Sequence, residues 1–138
     1  MTKGIDIILD THILILLMSG DERLKRKAIL TKIKERASFG RIYVSPLSFW
    51  ELGMLQEQGK IEVSMPTEDW VAKALDAPGV RVAPLTIEIA AGAGHLYDGK
   101  LSASDQILLA TAQEMRLSLA TLNKYLRGFA QKHRIEVL

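Results

Sequence analysis

Short runs of apolar residues alternate along the chain with longer segments in which apolar residues recur at helical spacing. The short, β-branched runs predict strands at 5–9, 42–44, 80–83, 117–120 and 134–138, with a further short segment at 61–63. The longer segments predict helices at 11–18, 22–37, 46–58, 67–76, 86–94 and 102–115, with a short helix after Thr121. This alternation is typical of an α/β fold, a mostly parallel sheet with helices on both faces.

Asp10 stands directly after the first predicted strand, where the strand gives way to a helix. Open α/β sheets bind their ligands beyond the carboxyl ends of the strands, so this position is a candidate site. Aspartate is also a common helix N-cap, and ordinary capping is the alternative explanation for Asp10.

Glu51 lies within the predicted helix 46–58 on a stripe of core-type residues, with Leu47, Met54 and Leu55 at helical spacing from it. An unpaired carboxylate buried on such a stripe costs several kcal/mol or has a raised pKa. Either a functional partner satisfies Glu51, or it is a boundary residue that reaches solvent or a surface lysine.

Asp105 stands near the start of the predicted helix 102–115, with apolar residues three, four and seven positions beyond it. Capping is again the alternative, since an acid in the first turn gains roughly 0.3–1 kcal/mol from the helix dipole. Ser102 or Ser104 could cap this helix equally well, which would leave Asp105 inside the first turn.

We expect the three acids to meet at one edge of the sheet. Two carboxylates ~5 Å apart at an effective dielectric constant of about 20 repel by about 3 kcal/mol, roughly two pKa units. Either some of them are protonated at neutral pH, or a divalent cation lies between them. A ligand set of oxygens without cysteine favours Mg²⁺ or Mn²⁺ over zinc.

The bulk properties exclude several classes of protein. The length of 138 residues, with 48% hydrophobic and 25% charged residues, fits a single domain spanning 1–138. Because cysteine is absent and no signal-peptide pattern opens the chain, a cytoplasmic location is expected. No segment has the ~20 apolar residues of a membrane span.

Four ordered blocks of this sequence are LDTH at 9–12, SPLSFWEL at 45–52, SDQILLATA at 104–112 and LATLN at 119–123. Together they resemble the PIN domain family, in particular the VapC-type ribonuclease toxins of prokaryotic toxin–antitoxin pairs. The resemblance spans nearly the whole chain. It implies a small three-layer α/β/α sandwich, a clustered-acid site that uses Mg²⁺ or Mn²⁺, an RNA substrate, a homodimer and a VapB-like antitoxin partner that blocks the site.

The resemblance also assigns roles to individual residues. Asp10, Glu51 and Asp105 would coordinate the metal and carry catalysis, and Thr11 and Thr121 would support the site by hydrogen bonding. The sequence departs from the family in two places. Asn123 stands where a fourth acid is usual, and Ser102-Ala103 stands where an Asp-Pro pair is usual. A second metal ion is therefore in doubt. Asp98, in the preceding loop, is a candidate for the missing fourth carboxylate. The simpler interpretation of Asp98 is a turn residue beside Gly99.

The distribution of charge suits a polyanionic substrate, although charged residues also simply solvate helix faces. Net charge is only +2, but basic residues concentrate in 21–41 and 116–138, on either side of an acidic centre. The candidates for contacts with the RNA backbone are Arg23, Lys25, Arg26, Lys27, Lys124 and Arg127. Trp50 could stack on a base, but its neighbours Phe49 and Leu52 favour core packing.

The leading hypothesis from the sequence is hydrolysis of RNA phosphodiesters by a metal-activated water. The alternative is a catalytically weak PIN-like module that binds RNA or a protein without cleavage, motivated by Asn123 and Ser102. An aspartate-based phosphohydrolase is disfavoured because the second acid of that motif is His12 here. His12, His95 and His133 lack metal-ligand spacing and are expected to be ordinary residues at the surface or at its boundary with the core.

Overall fold

The computed structural model describes residues 6–61 and 65–138. Ile5 of the first predicted strand and residues 62–63 of the short segment lie outside that range. Four strands and eight helices are described. The strands are β1 (Ile7–Leu9), β2 (Ile42–Val44), β3 (Val80–Val82) and β4 (Ser118–Ala120). The helices are α1 (Thr11–Ser19), α2 (Glu22–Lys25), α3 (Ala28–Ala37), α4 (Pro46–Glu57), α5 (Thr67–Asp76), α6 (Ile87–Gly94), α7 (Ala103–Met115) and α8 (Lys124–Lys132).

The four strands form one sheet in the order β3-β2-β1-β4, and each neighbouring pair is parallel. Ile7 of β1 pairs with Ile42 of β2 on one side and with Ser118 of β4 on the other. Because all four strands point the same way, their carboxyl ends lie at one edge of the sheet. That edge receives Asp10 and Thr121 directly from β1 and β4.

Each face of the sheet is covered by its own apolar cluster. Side chains alternate along a strand, so Ile8 packs in one cluster while Ile7 and Leu9 pack in the other. Residues of α6, α7 and α8 complete the first cluster, and residues of α1, α2 and α3 complete the second. The predicted α/β class, with helices on both faces of a small parallel sheet, is confirmed.

The single helix predicted for 22–37 is wrong, because the chain forms α2 and α3 with a break at Lys27, whose backbone is extended. At 3.6 residues per turn, side chains five residues apart point about 140° apart on a continuous helix. The break allows Leu24 and Ile29 to be buried together in one cluster.

The strand predicted for 134–138 is reduced to one bridge between Leu119 and Val137. Arg134 has a φ of 59°, in the left-handed region, so the segment cannot begin as extended backbone. Within the described ranges, no helix has the length and apolar character needed to cross a membrane.

Candidate active site

The carboxyl edge of the sheet brings together residues from the beginning and the end of the chain. The Asp10 N–H donates to the carbonyl of Ala120, the last residue of β4, at 3.1 Å, which continues the β1–β4 ladder one residue past the end of β1. Helix α4 begins directly after β2, with Ser45 as its N-cap and Pro46 in its first turn, and packs against α1 and α7. This packing carries Glu51 of α4 toward the start of α7, where Asp105 lies.

Asp10 is a buried helix cap, with 4% of its surface exposed. Its Oδ1 accepts the Ile13 N–H at 2.7 Å, and its Oδ2 accepts the hydroxyl of Thr121, which is itself fully buried. Burial raises the pKa of Asp10 above its ordinary value, and the hydrogen bonds from Thr121 and Ile13 offset only part of that rise. Asp10 therefore caps α1, which was the alternative explanation for this residue, and its carboxyl group is also strongly desolvated.

Asp105 does not cap its helix. The N-cap of α7 is Ser102, whose Oγ accepts the Asp105 N–H at 3.1 Å, so Asp105 lies half-buried inside the first turn. Burial raises the pKa of Asp105, and the negative charge of Glu51 raises it further against the opposing effect of the Ser102 hydroxyl.

Glu51 is held by a chain of hydroxyl groups. The Ser104 Oγ donates to Glu51 Oε1 at 3.0 Å, and the Ser102 and Ser104 oxygens lie 3.1 Å apart. The Ser102 Oγ accepts the Asp105 N–H, and its hydroxyl also bonds the Asp105 carboxyl group, whose pKa it lowers. The start of α7 thereby orients a carboxylate of α4.

The stripe of Leu47, Met54 and Leu55 is not the core face of α4, and that expectation was wrong. The buried residues of α4 are Ser48 and Leu52. Glu51 lies about 60° around the helix from Ser48, on the flank of the buried face, which accounts for its half-buried state.

Trp50 is 54% exposed, so the expectation that it packs in the core was also wrong. It lies about 160° around α4 from both Ser48 and Leu52, on the opposite side of the helix. Because α4 is apolar on nearly every side, the packing of α1, α5 and α7 against it decides which side is buried.

The charges of the three acids act on one another through Asp105. The negative charge of Asp105 raises the pKa of Asp10, and that of Glu51 raises the pKa of Asp105, both to a lesser extent than burial does. His12 is exposed, and its proximity lowers the pKa of both aspartates. The sequence predicted His12 at the surface or its boundary but did not connect it with the site. Its position two residues after Asp10 could have indicated that it lies near the acids.

The three acids at the carboxyl edge have the oxygen chemistry of a metal site. Among residues 6–61 and 65–138, no three or more His, Asp or Glu side chains are already spaced to hold an ion. The chemistry of the acids nevertheless fits a hard divalent cation, because they offer only oxygen ligands and a cation offsets their repulsion and desolvation. Each Asp10 oxygen retains a second lone pair beyond its internal hydrogen bond. Asp10, Glu51 and Asp105 are thus the residues that could hold the ion.

The three predicted supporting residues differ in how directly they bond to the acids. Thr121 bonds Asp10 directly, whereas Thr11 donates to the Ser48 Oγ at 3.0 Å and ties α1 to α4. Asn123 is the exposed N-cap of α8, with its Oδ1 accepting the Leu126 N–H at 3.1 Å. The Asn123 N–H donates to the Thr121 Oγ at 3.0 Å, which places the residue one hydrogen bond from Thr121 and two from Asp10.

Asp98 is committed to a turn. Its Oδ1 accepts the N–H groups of Lys100 and Leu101, each at 2.8 Å, and its Oδ2 accepts the Tyr125 hydroxyl. The Tyr125 hydroxyl is the main cause that lowers the pKa of Asp98 below its ordinary value. These bonds favour the turn interpretation of Asp98 over a role as the missing fourth ligand.

The predicted RNA-binding cations are not equivalent. Arg23 is paired with Asp21 at 2.8 Å, and Lys25 with Glu22 at 3.0 Å. The guanidinium of Arg127 donates to the carbonyls of Thr121 and Leu138. The side chains of the remaining three are exposed, namely Arg26, Lys27 and Lys124.

The sequence model of the PIN domain matches residues 7–132. The chain belongs to the PIN domain family. PIN domains are typically nucleases, and PIN nucleases generally use divalent metal ions. The α/β fold described above is therefore that of a PIN domain. A search of the curated proteins found no match.

Solved structures of similar fold come from bacterial toxin–antitoxin assemblies. A toxin-antitoxin complex from Klebsiella pneumoniae is 27% identical, with a TM-score of 0.57 over 85% of this chain and 86% of that one. VapBC-1 from nontypeable Haemophilus influenzae is 22% identical, with a TM-score of 0.63 and 96% of each chain covered. VapBC2 from Rickettsia felis, bound to a DNA fragment from its promoter, is 14% identical, with a TM-score of 0.64 over 90% and 92% of the chains.

Proposed function

We propose that this PIN domain is a metal-dependent endoribonuclease, the toxin component of a VapBC-type toxin–antitoxin pair. The observation that carries the proposal is the convergence of Asp10, Glu51 and Asp105, from three separate elements, into one electrostatically coupled group. Membership of the PIN family supports nuclease chemistry. The similarity to the Klebsiella toxin-antitoxin complex supports the toxin assignment.

Asp10, Glu51 and Asp105 would hold Mg²⁺ or Mn²⁺. When bound, such an ion lowers the pKa of a water molecule and neutralises charge on the phosphoryl oxygens. Hydrogen bonds restrain two of these three carboxylates. Thr121 and the Ile13 amide fix Asp10, and Ser104 fixes one oxygen of Glu51 while the other is free to ligate. With Asn123 in place of an acid, we propose one tightly held ion.

The proposed partners are a VapB-like antitoxin that blocks the acids and a second copy of this chain. An antitoxin would be encoded in the adjacent open reading frame, and it would place an arginine or lysine against the carboxylates. Co-expression with that frame tests the pairing, since the purified complex should lack ribonuclease activity until the antitoxin is removed. Analytical ultracentrifugation of the free protein tests the dimer.

The experiment incubates the protein with total RNA in Mg²⁺ or Mn²⁺, beside Asp10→Asn and an EDTA control. The matched variant is Asp21→Asn, because Asp21 is also an N-cap aspartate whose side chain accepts a backbone N–H. Both substitutions keep a capping oxygen and remove one charge. We expect cleavage by the wild type and by Asp21→Asn, and none by Asp10→Asn or in EDTA. Equal cleavage in all four samples, or in none, contradicts the proposal.

The second candidate is a PIN module that binds RNA or a partner protein without cleaving. Two observations favour it: Asn123 replaces an acid, and the described acids are not already spaced around an ion. Titration calorimetry separates the candidates. Binding of Mn²⁺ to the wild type that is lost in Asp10→Asn supports the nuclease, and absence of Mn²⁺ binding supports the module.

A further inference from the structure

Exposed aromatic and basic residues lie in the loop before α7 and in the first turn of α8. They are Tyr97, Lys100, Lys124 and Tyr125, which we call the tyrosine–lysine surface. Tyr97 is 73% exposed and Tyr125 is 46% exposed, and both lysines are exposed. The Lys100 ammonium lies 5.5 Å from the centre of the Tyr125 ring. Sequence reasoning selected only Lys124 among these four residues.

The geometry of this surface is fixed by Asp98. One carboxylate oxygen closes the turn by accepting the Lys100 and Leu101 amides, and the other accepts the Tyr125 hydroxyl from α8. The positive φ of Gly99, 84°, lets the backbone make this turn. The loop before α7 and the first turn of α8 are thereby held together, with the Lys100 ammonium beside the Tyr125 ring.

The surface is joined to the acids at both of its ends. The loop runs directly into Ser102, whose hydroxyl accepts the Asp105 amide. Two residues before Tyr125, the Asn123 amide bonds Thr121, which in turn bonds Asp10. The surface is thus connected with both Asp10 and Asp105 through a few residues.

Single-stranded RNA has the chemistry that matches this arrangement. Its phosphates are repelled by the three acids, so binding needs cations beside the site, and Lys100 and Lys124 provide them. The negative charge of Asp98, which would also repel phosphates, is stabilised by hydrogen bonds from two backbone amides and the Tyr125 hydroxyl. Exposed aromatic faces stack on unpaired bases, which a duplex does not offer.

We propose that the tyrosine–lysine surface binds single-stranded RNA next to the scissile phosphodiester, with Tyr97 stacking on a base and Lys100 and Lys124 contacting phosphates. This inference rests on the proposed ribonuclease function for its substrate class. Tyr125 positions Lys100 and the turn through Asp98.

The test compares the double variant Tyr97→Ala/Lys100→Ala with Phe39→Ala/Lys32→Ala. The control also removes one exposed aromatic ring and one exposed lysine; Phe39 is 64% exposed and lies two residues before Arg41, near the amino ends of the strands. Fluorescence anisotropy measures the binding of a labelled oligouridine in EDTA, where cleavage is prevented. Melting temperatures of both double variants check folding, and Tyr97→Phe/Lys100→Arg tests rescue.

We expect the Tyr97/Lys100 double variant to bind oligouridine about tenfold more weakly, with less than a twofold change in the control and recovery in the rescue variant. The plot of log K against log salt should also lose roughly 0.7 from its slope when Lys100 is removed. Unchanged affinity and slope overturn the inference, as does loss of a co-expressed protein partner while RNA binding stays intact.

Cleavage of total RNA in Mg²⁺, measured on the same proteins, separates this inference from the proposed function. If the wild type cleaves RNA and the Tyr97/Lys100 variant binds and cleaves as well as the wild type, the inference fails and the function stands. If the wild type binds oligouridine through this surface without cleaving RNA, the proposed function fails and the inference stands.

Discussion

Removal of the Ser104 hydroxyl is predicted to weaken metal binding through Glu51. Ser104 is buried, and its Oγ donates to Glu51 Oε1 at 3.0 Å across 53 positions of sequence. Ser104→Ala leaves this carboxylate oxygen without its donor and removes the contact between the Ser102 and Ser104 hydroxyl groups. Neither effect touches Asp10, so the two remaining acids stay in place.

The magnitude follows from the type of bond and from its exposure. A hydrogen bond to a charged group contributes about 1.5–3 kcal/mol, and the half-buried state of Glu51 places the effect in the lower range, about 1–2 kcal/mol. That corresponds to a roughly 5- to 30-fold change in an equilibrium constant. We expect the Mn²⁺ dissociation constant to rise by this factor, and kcat/KM for RNA to fall by a similar one.

Titration calorimetry with Mn²⁺ and a cleavage assay on a defined RNA measure the two effects. Ser104→Thr keeps the hydroxyl and is the matched variant; it should bind Mn²⁺ within threefold of the wild type. Ser102→Ala removes the helix cap and should lower stability by about 1 kcal/mol. If Ser104→Ala and Ser104→Thr reduce Mn²⁺ affinity equally, or neither reduces it, the hydroxyl chain does not position Glu51.

Four further predictions concern the same edge of the sheet. Burial raises the pKa of Asp10 and Asp105, so the folded protein holds these protons more tightly than the unfolded chain, and metal-free stability falls as pH rises from the unfolded to the folded pKa values. Asp10→Asn should therefore raise the melting temperature in EDTA at pH 7 by a few degrees, on the order of 1 kcal/mol; a lower melting temperature contradicts this. Thr121→Val leaves a buried carboxylate oxygen without a donor and should cost about 1–3 kcal/mol in urea unfolding, whereas a change below 0.5 kcal/mol, roughly the scale of surface substitutions, refutes it. Asn123→Asp keeps the cap of α8 and should strengthen Mn²⁺ binding in calorimetry without changing the melting temperature; unchanged affinity places residue 123 outside the metal site. The Asp98 carboxylate raises the pKa of Tyr125, so Asp98→Asn should shift the Tyr125 phenol titration, followed by NMR, to lower pH, and an unshifted titration excludes the bond.

Local sequence signals predicted the elements that lie beside the site. β1 followed by Asp10, Pro46 after Ser45 at the start of α4, and Ser102 three residues before Asp105 all specify backbone geometry through neighbours a few residues away. Such signals do not depend on distant packing. The parallel sheet followed from the alternation of strands and helices, and its carboxyl edge identified where the acids belong.

The sequence by itself therefore determined the α/β class, the family blocks and the three acids as candidates. Only the tertiary structure decided which side of α4 is buried, because that helix is apolar nearly all round and the packing of α1, α5 and α7 selects Ser48 and Leu52. The hydroxyl chain to Glu51 likewise depends on contacts between residues more than fifty positions apart. Periodicity and caps are properties of neighbouring residues, whereas burial and side-chain partners are properties of the assembled fold.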